Sequence, residues 1–270
     1  MPELPEVETI ARGLARSIVG KTIERAEIRL AKMAPASPGV SFLSAVAGQR
    51  ITSVTRRAKY AVVALSSGRS LVTSLRMTGR LVAQRPGEAD YPGTHVVLHF
   101  TDGTRLSFAD VRTFGRMRLV EPGEAWDADL GVEPLSSGFT QEAFLSMLLG
   151  RTTPIKVFLL DQRRVVGIGN IYACEALWEA RIHPSRPAQA LTKPATRRLY
   201  HAVVDVLERA ILMRGSSVDD YVDADGLRGG FQNALSVYGR LGEPCIRCGK
   251  PIVRTVLGQR GTWWCRNCQR

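Results

Sequence analysis

The chain has 270 residues, 44% hydrophobic and 23% charged, and its 37 Lys and Arg outnumber 25 Asp and Glu for a net charge of +12. This is the composition of a folded globular protein with room for two domains, and no apolar run reaches the roughly 20 residues that a bilayer span needs. The acidic opening MPELPEVE has no apolar core and so is not a secretory signal; the cytoplasm is the expected compartment, and the positive charge points to a polyanionic partner.

In chain order, residues 5–18 read as a helix. Pro5 suits its first turn, Glu6 and Glu8 complement the helix dipole, and Val7, Ile10, Ala11, Leu14 and Ile18 recur at helical spacing. Short β-rich runs follow at 51–55, 60–65, 71–75, 96–100, 106–108 and 117–120, with turn signals such as Ser67-Gly68 and Asp102-Gly103 between them. Residues 31–41 and 84–94 read as loops. One helix ahead of many short strands predicts a helix-capped β-sandwich over 1–120. Residues 121–138, rich in Pro, Gly and acids, read as a linker. The pattern then turns helical at 140–149, 154–161, 170–180 and 192–213, which predicts a helical domain over 139–237. Residues 215–230 read as a polar, Gly-rich mobile loop.

The tail, 238–270, carries four of the five cysteines and seven basic residues against the single acid Glu243. Cys245-x-x-Cys248 and Cys265-x-x-Cys268 stand 16 residues apart, a spacing that brings four thiolates around one tetrahedral Zn²⁺. Two disulfides or a redox site are the alternatives. Between the pairs, Gly258-Gln259-Arg260-Gly261 is flanked by β-rich residues, which predicts a hairpin with Arg260 at its tip. The module is too small for a core of its own, so the metal would supply its stability. Arg260 is either a solvated surface residue or a phosphate contact.

Two further segments have chemical potential. Removal of Met1 would expose Pro2 as a secondary amine, with an α-amino pKa near 7.7–8.0 leaving a usable neutral fraction. Such an amine attacks an aldehyde-like carbon to give an iminium, and the neighbouring Glu3 could donate a proton. The plain alternative is a helix start with acids that only cap it. Val166-Gly167-Ile168-Gly169-Asn170 leads into a helix, and a glycine-bearing helix start attracts phosphate. With the helix before it, this forms a helix–turns–helix unit able to face a DNA backbone, or an ordinary helix pair.

Seven segments in order, MPELPEVET, RRAKY at 56–60, MTG at 77–79, DVRTFG at 110–115, GIGNIYACEAL at 167–177, VYGR at 237–240 and the Cys pairs around GQRGTWW, resemble the formamidopyrimidine-DNA glycosylase family. These bacterial enzymes remove 8-oxoguanine and ring-opened purines from damaged double-stranded DNA in base-excision repair. Leu4 favours this branch over the oxidised-pyrimidine branch. The resemblance implies an α+β protein: the β-sandwich catalytic domain, the helical DNA-binding domain and a four-cysteine zinc finger with one structural Zn²⁺. It implies a monomeric glycosylase and abasic-site lyase, with no membrane partner, that meets the nucleoid through DNA.

By the same resemblance, Pro2 is the Schiff-base nucleophile and Glu3 the proton donor. Lys59 assists β-elimination, and Arg260 assists δ-elimination and contacts phosphate. Met77, Arg112 and Phe114 fill the gap left by an everted nucleotide, although an apolar residue such as Phe is more often core. Arg151, Lys156, Asn170 and Tyr238 hold the DNA backbone. Two departures stand out. Ser74-Leu75-Arg76 replaces a His-Leu-Gly common in the family, and Gly215-Ser216-Ser217 replaces a Gly-Gly-Thr. A non-enzymatic zinc-ribbon DNA-binding protein would explain the charge and cysteines but not Pro-Glu at the terminus.

Overall fold

A computed structural model of the chain describes residues 2–35, 39–217, 221–224 and 226–270. The chain divides into two compact units, Met1–Ala128 with Met213–Gln232, and Asp129–Leu212 with Asn233–Arg270. The segment expected as a mobile loop thus begins and ends in the first unit, and its residues 218–220 and 225 lie outside the described residues.

The first unit opens with helix α1 (Leu4–Ile18), whose Leu4, Val7, Ile10, Leu14 and Ile18 are all buried. Strand β1 (Ile23–Ile28) and the short helix α2 (Phe42–Val46) follow, then β2 (Ile51–Arg57), β3 (Tyr60–Leu65), β4 (Ser70–Ser74), β5 (Gly79–Gln84), β6 (Thr94–Phe100), β7 (Arg105–Asp110) and β8 (Arg116–Val120). They form two four-stranded antiparallel sheets, ordered β1-β6-β7-β5 and β2-β3-β4-β8. Strand β3 shows why: its side chains alternate, Ala61, Val63 and Leu65 pointing inward. These meet Leu98, Phe100, Leu106 and Phe108 of the other sheet and the apolar stripe of α1 in one core, the helix-capped sandwich expected.

Two strands and a helix escaped the sequence reading. IERAEI of β1 buries only Ile23 fully, GRLVAQ of β5 has no clean alternation, and five-residue α2 is too short to show a period. Among the described residues of 31–41 there is one helical turn, Ala31–Met33.

The second unit holds α3 (Gln141–Leu148), α4 (Ile155–Leu160), α5 (Asn170–Glu179), α6 (Lys193–Leu212) and the hairpin β9 (Val253–Leu257) and β10 (Arg260–Trp264). Thr140 caps α3 by accepting Ala143 N–H at 3.1 Å. Gln162 shapes the α4–α5 connection, accepting Gly167 N–H at 2.8 Å and donating to the Ile168 carbonyl at 2.9 Å. Phe139, Phe144, Phe158 and Tyr200 stack as an aromatic group within this unit. The hairpin turn is Gly258-Gln259, both with positive φ, the two-residue form that suits the twist of antiparallel strands. Among the described residues, no helix is long and apolar enough to cross a membrane.

Candidate active site and DNA interface

In the first unit Pro2 and Glu3 stand immediately before α1, and both are buried. The Glu3 N–H donates to Glu6 Oε2 at 2.8 Å, so the helix start is closed by an acid three residues on. The other oxygen of Glu6 accepts Ser216 N–H at 2.7 Å. Gly215 permits this contact, since a Cβ there would sit 2.7 Å from Glu6 Oε1 and the residue has φ +77. The Gly215-Ser216-Ser217 segment is therefore fastened to the start of α1. Tyr221 adds a long bond from its hydroxyl to the Glu6 carbonyl, 3.4 Å. Burial, then the nearby Glu6 and Asp223 charges, push its phenol pKa up, which keeps it a neutral donor.

Lys59 lies in the turn between β2 and β3, partly exposed, after Ala58 with φ 52. Arg56 shapes that turn by donating to the Ala58 carbonyl at 3.1 Å. The same guanidinium pairs with Glu8 Oε2 on α1 at 2.9 Å, tying the Lys59 turn to the helix that carries Pro2. Burial pushes the Glu8 carboxyl up, but hydrogen bonds from Arg12 and Arg56 outweigh it and hold the pKa below its usual range.

Met77 and Phe114, apolar enough to be core residues, are instead 39% and 53% exposed. Arg112 is exposed and its guanidinium lies 4.9 Å from the centre of the Phe114 ring, so the two form one stacked surface. Behind them, buried Asp110 receives backbone N–H groups of this loop.

The second unit carries the remaining candidates. Arg151 is exposed in the loop after α3. Asn170 opens α5, its amide donating to the Gly261 carbonyl at 3.0 Å. Tyr238 packs its ring 4.5 Å from Trp263. Arg260 opens β10 beside the turn and is exposed. Lys156, expected on the DNA backbone, lies elsewhere. It is completely buried, and its ammonium donates to Asn170 Oδ1 at 2.7 Å, the Gly261 carbonyl at 3.0 Å and Thr262 Oγ1 at 2.6 Å. An ammonium has three hydrogens, so none is left to point at a phosphate. Lys156 joins α4, α5 and the hairpin from inside.

Glu175 was not among the expected residues. It is buried on α5 and accepts N–H groups of Ser236 at 2.8 Å, Val237 at 3.0 Å and Tyr238 at 2.8 Å, fixing the backbone of Tyr238. Burial raises its pKa, and these three donors pull it back. Its signal was a lone acid within the otherwise apolar run IYACEALW.

The four cysteine sulfurs lie within 4.8 Å of one another, with Cys248–Cys265 at 3.5 Å and Cys245–Cys268 at 3.9 Å. None is disulfide-bonded. Four sulfurs each about 2.3 Å from one Zn²⁺ stand about 3.8 Å apart, so the residues fit that ion. Four thiolates leave no open position, which makes the zinc structural. Cys245 and Cys265 pack with Ile252, Val237, Trp178 and Cys174, which gives Cys174 a place in the core of this corner.

Residues 1–117 match the formamidopyrimidine-DNA glycosylase N-terminal domain, 130–222 the corresponding H2TH domain, and 242–270 the zinc finger found in FPG and IleRS. A formamidopyrimidine-DNA glycosylase of Heliobacterium modesticaldum is 46% identical over the full length of both chains, and one of Brevibacillus brevis is 45% identical over 100% of this chain and 99% of its own. The chain belongs to the formamidopyrimidine-DNA glycosylase family. Among solved structures, the MutM (Fpg) protein of Thermus thermophilus superposes with a TM-score of 0.89 at 41% identity, covering 99% of this chain and 98% of that one. Lactococcus lactis Fpg in complex with abasic-site DNA gives 0.92 at 33% identity, covering 99% of each chain. Like those glycosylases, this one joins an N-terminal sheet domain to a helical domain and a zinc hairpin.

Proposed function

We propose that this glycosylase excises oxidised purines, 8-oxoguanine and formamidopyrimidines, from duplex DNA and then cleaves the abasic site, with Pro2 as nucleophile. The observation that carries the assignment is the buried Pro2-Glu3 pair at the start of α1, held by the Glu6 carboxylate, in a chain 46% identical to a named glycosylase along its whole length.

Once Met1 is removed, the Pro2 nitrogen has a lone pair. It attacks the sugar C1′, and the glycosidic electrons leave with the base. Glu3 supplies the proton that this departure or the opening of the ring requires. The ring-opened iminium acidifies C2′. Loss of a C2′ proton, assisted by Lys59, expels the 3′ phosphate, and a second elimination, assisted by Arg260, expels the 5′ phosphate. Water then hydrolyses the iminium and frees Pro2.

The base must first leave the stack at a cost of a few kcal/mol. Met77 and Phe114 fill the gap, and Arg112 hydrogen-bonds the orphaned base. Arg151, Tyr238, Arg260 and the second amide hydrogen of Asn170 contact phosphates, while Lys156 acts through Asn170 and the hairpin. The enzyme works as a monomer in the cytoplasm, kept on the nucleoid by its affinity for DNA.

Borohydride reduction during turnover on an 8-oxoguanine duplex should trap a covalent complex whose modified peptide begins at Pro2. A Pro2→Gly variant trapped at another residue, with undiminished yield, would refute the assignment.

A further inference from the structure

Asp110 ends β7 and is fully buried. Its Oδ1 accepts the Thr78 hydroxyl at 2.5 Å and Arg112 N–H at 3.2 Å. Its Oδ2 accepts Phe114 N–H at 2.8 Å and Gly115 N–H at 2.6 Å. An ionised carboxylate offers about four acceptor directions, and here four donors fill them. Two of the donors are successive backbone N–H groups converging on one oxygen, an arrangement that suits an anion. Gly115 approaches this closely because it lacks a side chain. A Cβ there would meet Phe108 Cζ and the Ser74 carbonyl at 2.8 Å and Asp110 Oδ2 at 3.1 Å.

The same carboxylate reaches both loops that carry gap-filling side chains. Thr78 directly follows Met77, and its hydroxyl also accepts Arg112 N–H at 3.3 Å. Each loop contains a non-glycine residue in the left-handed region, Arg76 and Thr113, both with φ 55. Such a conformation persists only where its surroundings impose it. From the carbonyl side, Arg116 Nη1 donates to Thr113 O at 3.0 Å and Gly115 O at 2.5 Å, so the loop backbone is held at both its donors and its acceptors.

We propose that Asp110 is the positioning residue for opposite-base discrimination: by holding the Thr78 and Arg112–Gly115 backbones on one carboxylate, it fixes Met77, Arg112 and Phe114 as a single reading head. This rests on the reading that those three side chains enter the duplex. Asp110 touches neither DNA nor the reacting sugar, so its loss should disturb selection while sparing the chemistry at Pro2. An Asn at this position is not conservative. Its amide nitrogen cannot accept, so whichever way it is placed, one pair of donors meets N–H groups.

The test measures single-turnover excision of 8-oxoguanine opposite each of the four bases, in Asp110→Asn, Thr78→Val and Arg112→Ala. Borohydride trapping on a single-stranded abasic oligonucleotide, which has no opposite base, reports the chemistry alone. The spread between the most and least favoured opposite base should shrink about tenfold in Asp110→Asn and about threefold in Thr78→Val. Trapping on the single strand should stay at the wild-type level in both. A fluorescent purine analogue placed opposite the abasic site should brighten less on binding Asp110→Asn than on binding wild type. An unchanged spread in Arg112→Ala overturns the wedge reading and this proposal with it. A collapsed spread in Arg112→Ala beside a wild-type spread in Asp110→Asn overturns the positioning role alone. Equal losses of trapping and excision would show a merely structural Asp110. Should Asp110→Asn fail to fold, Thr78→Val decides, and its unchanged spread overturns the proposal.

Discussion

Asp110 and Lys156 are both completely buried, and each spends its charge on the underside of an exposed loop, yet with opposite sign. The carboxylate gathers N–H groups of a turn whose backbone donors converge. The ammonium gathers Gly261 O and Thr262 Oγ1 at the hairpin edge and Asn170 Oδ1 at a helix start. Each charge meets groups of complementary polarity, and burial strengthens both sets of bonds. The supports beneath differ. The Arg112–Phe114 loop rises from two four-stranded sheets with a large shared core. The Arg260 hairpin is two strands whose apolar contacts are few, so it depends on metal and on Lys156. One buried charge refines a loop that would exist without it, while the other helps to hold a module together.

That contrast breaks most visibly at the metal. Cys265→Ser, or chelation of zinc, removes a ligand set whose apparent folding contribution in small zinc modules is about 10–16 kcal/mol. The hairpin should unravel and damaged-duplex cleavage should fall more than about 100-fold. The sandwich, with its own core, should keep its far-ultraviolet signature. Zinc content, circular dichroism and cleavage measured together check this. Full cleavage by zinc-free protein would remove the hairpin from the DNA interface. Lys156→Met is the next largest. It withdraws three donors from neutral acceptors that are buried or half-buried, and each buried polar group left unpaired costs about 1–3 kcal/mol. The melting transition should drop by roughly 10 °C. Lys156→Arg should not restore it, because a planar fork cannot place donors on three acceptors around one nitrogen. An unchanged melting temperature in Lys156→Met would show that this corner is held without it.

Much of this was legible in the residues. The α1 period, the β3 alternation and the Cys spacing each state a local physical requirement, and the structure places each where that requirement predicts. The buried charges were harder. The resemblance puts Lys156 of IKVFLL on the DNA backbone, and only the fold shows three acceptors converging on its ammonium instead. Asp110 sits within DVRTFG, where Arg and Phe draw attention because their size suits a gap, while the acid between a strand and a turn looks ordinary. Glu175 carried a weak signal as the one acid on an apolar helix face, but its partners are 61–63 residues away in sequence. Spacing rules read contacts within one helix or hairpin. Contacts that close over such distances leave no period to read.

The smallest effect concerns the Lys59 turn, which is tied to α1 by Glu8 and Arg56. The pair is partly solvated, with 9% of the Arg56 and 20% of the Glu8 side chain exposed, so it should contribute only about 1 kcal/mol. The folded Glu8 pKa lies below its ordinary 4.5, so Glu8 binds its proton less readily in the native protein than in the unfolded chain. The stabilisation is therefore complete above about pH 4.5 and is lost as the pH falls through the depressed native value. Glu8→Gln should melt about 2–4 °C below wild type at neutral pH, and the two curves should converge on acidification. The difference between the proteins isolates Glu8, with its Arg12 and Arg56 partners together, from the other carboxylates that titrate in the same range. A gap that stays constant down to pH 3 would mean that Glu8 holds the turn by packing and not by charge.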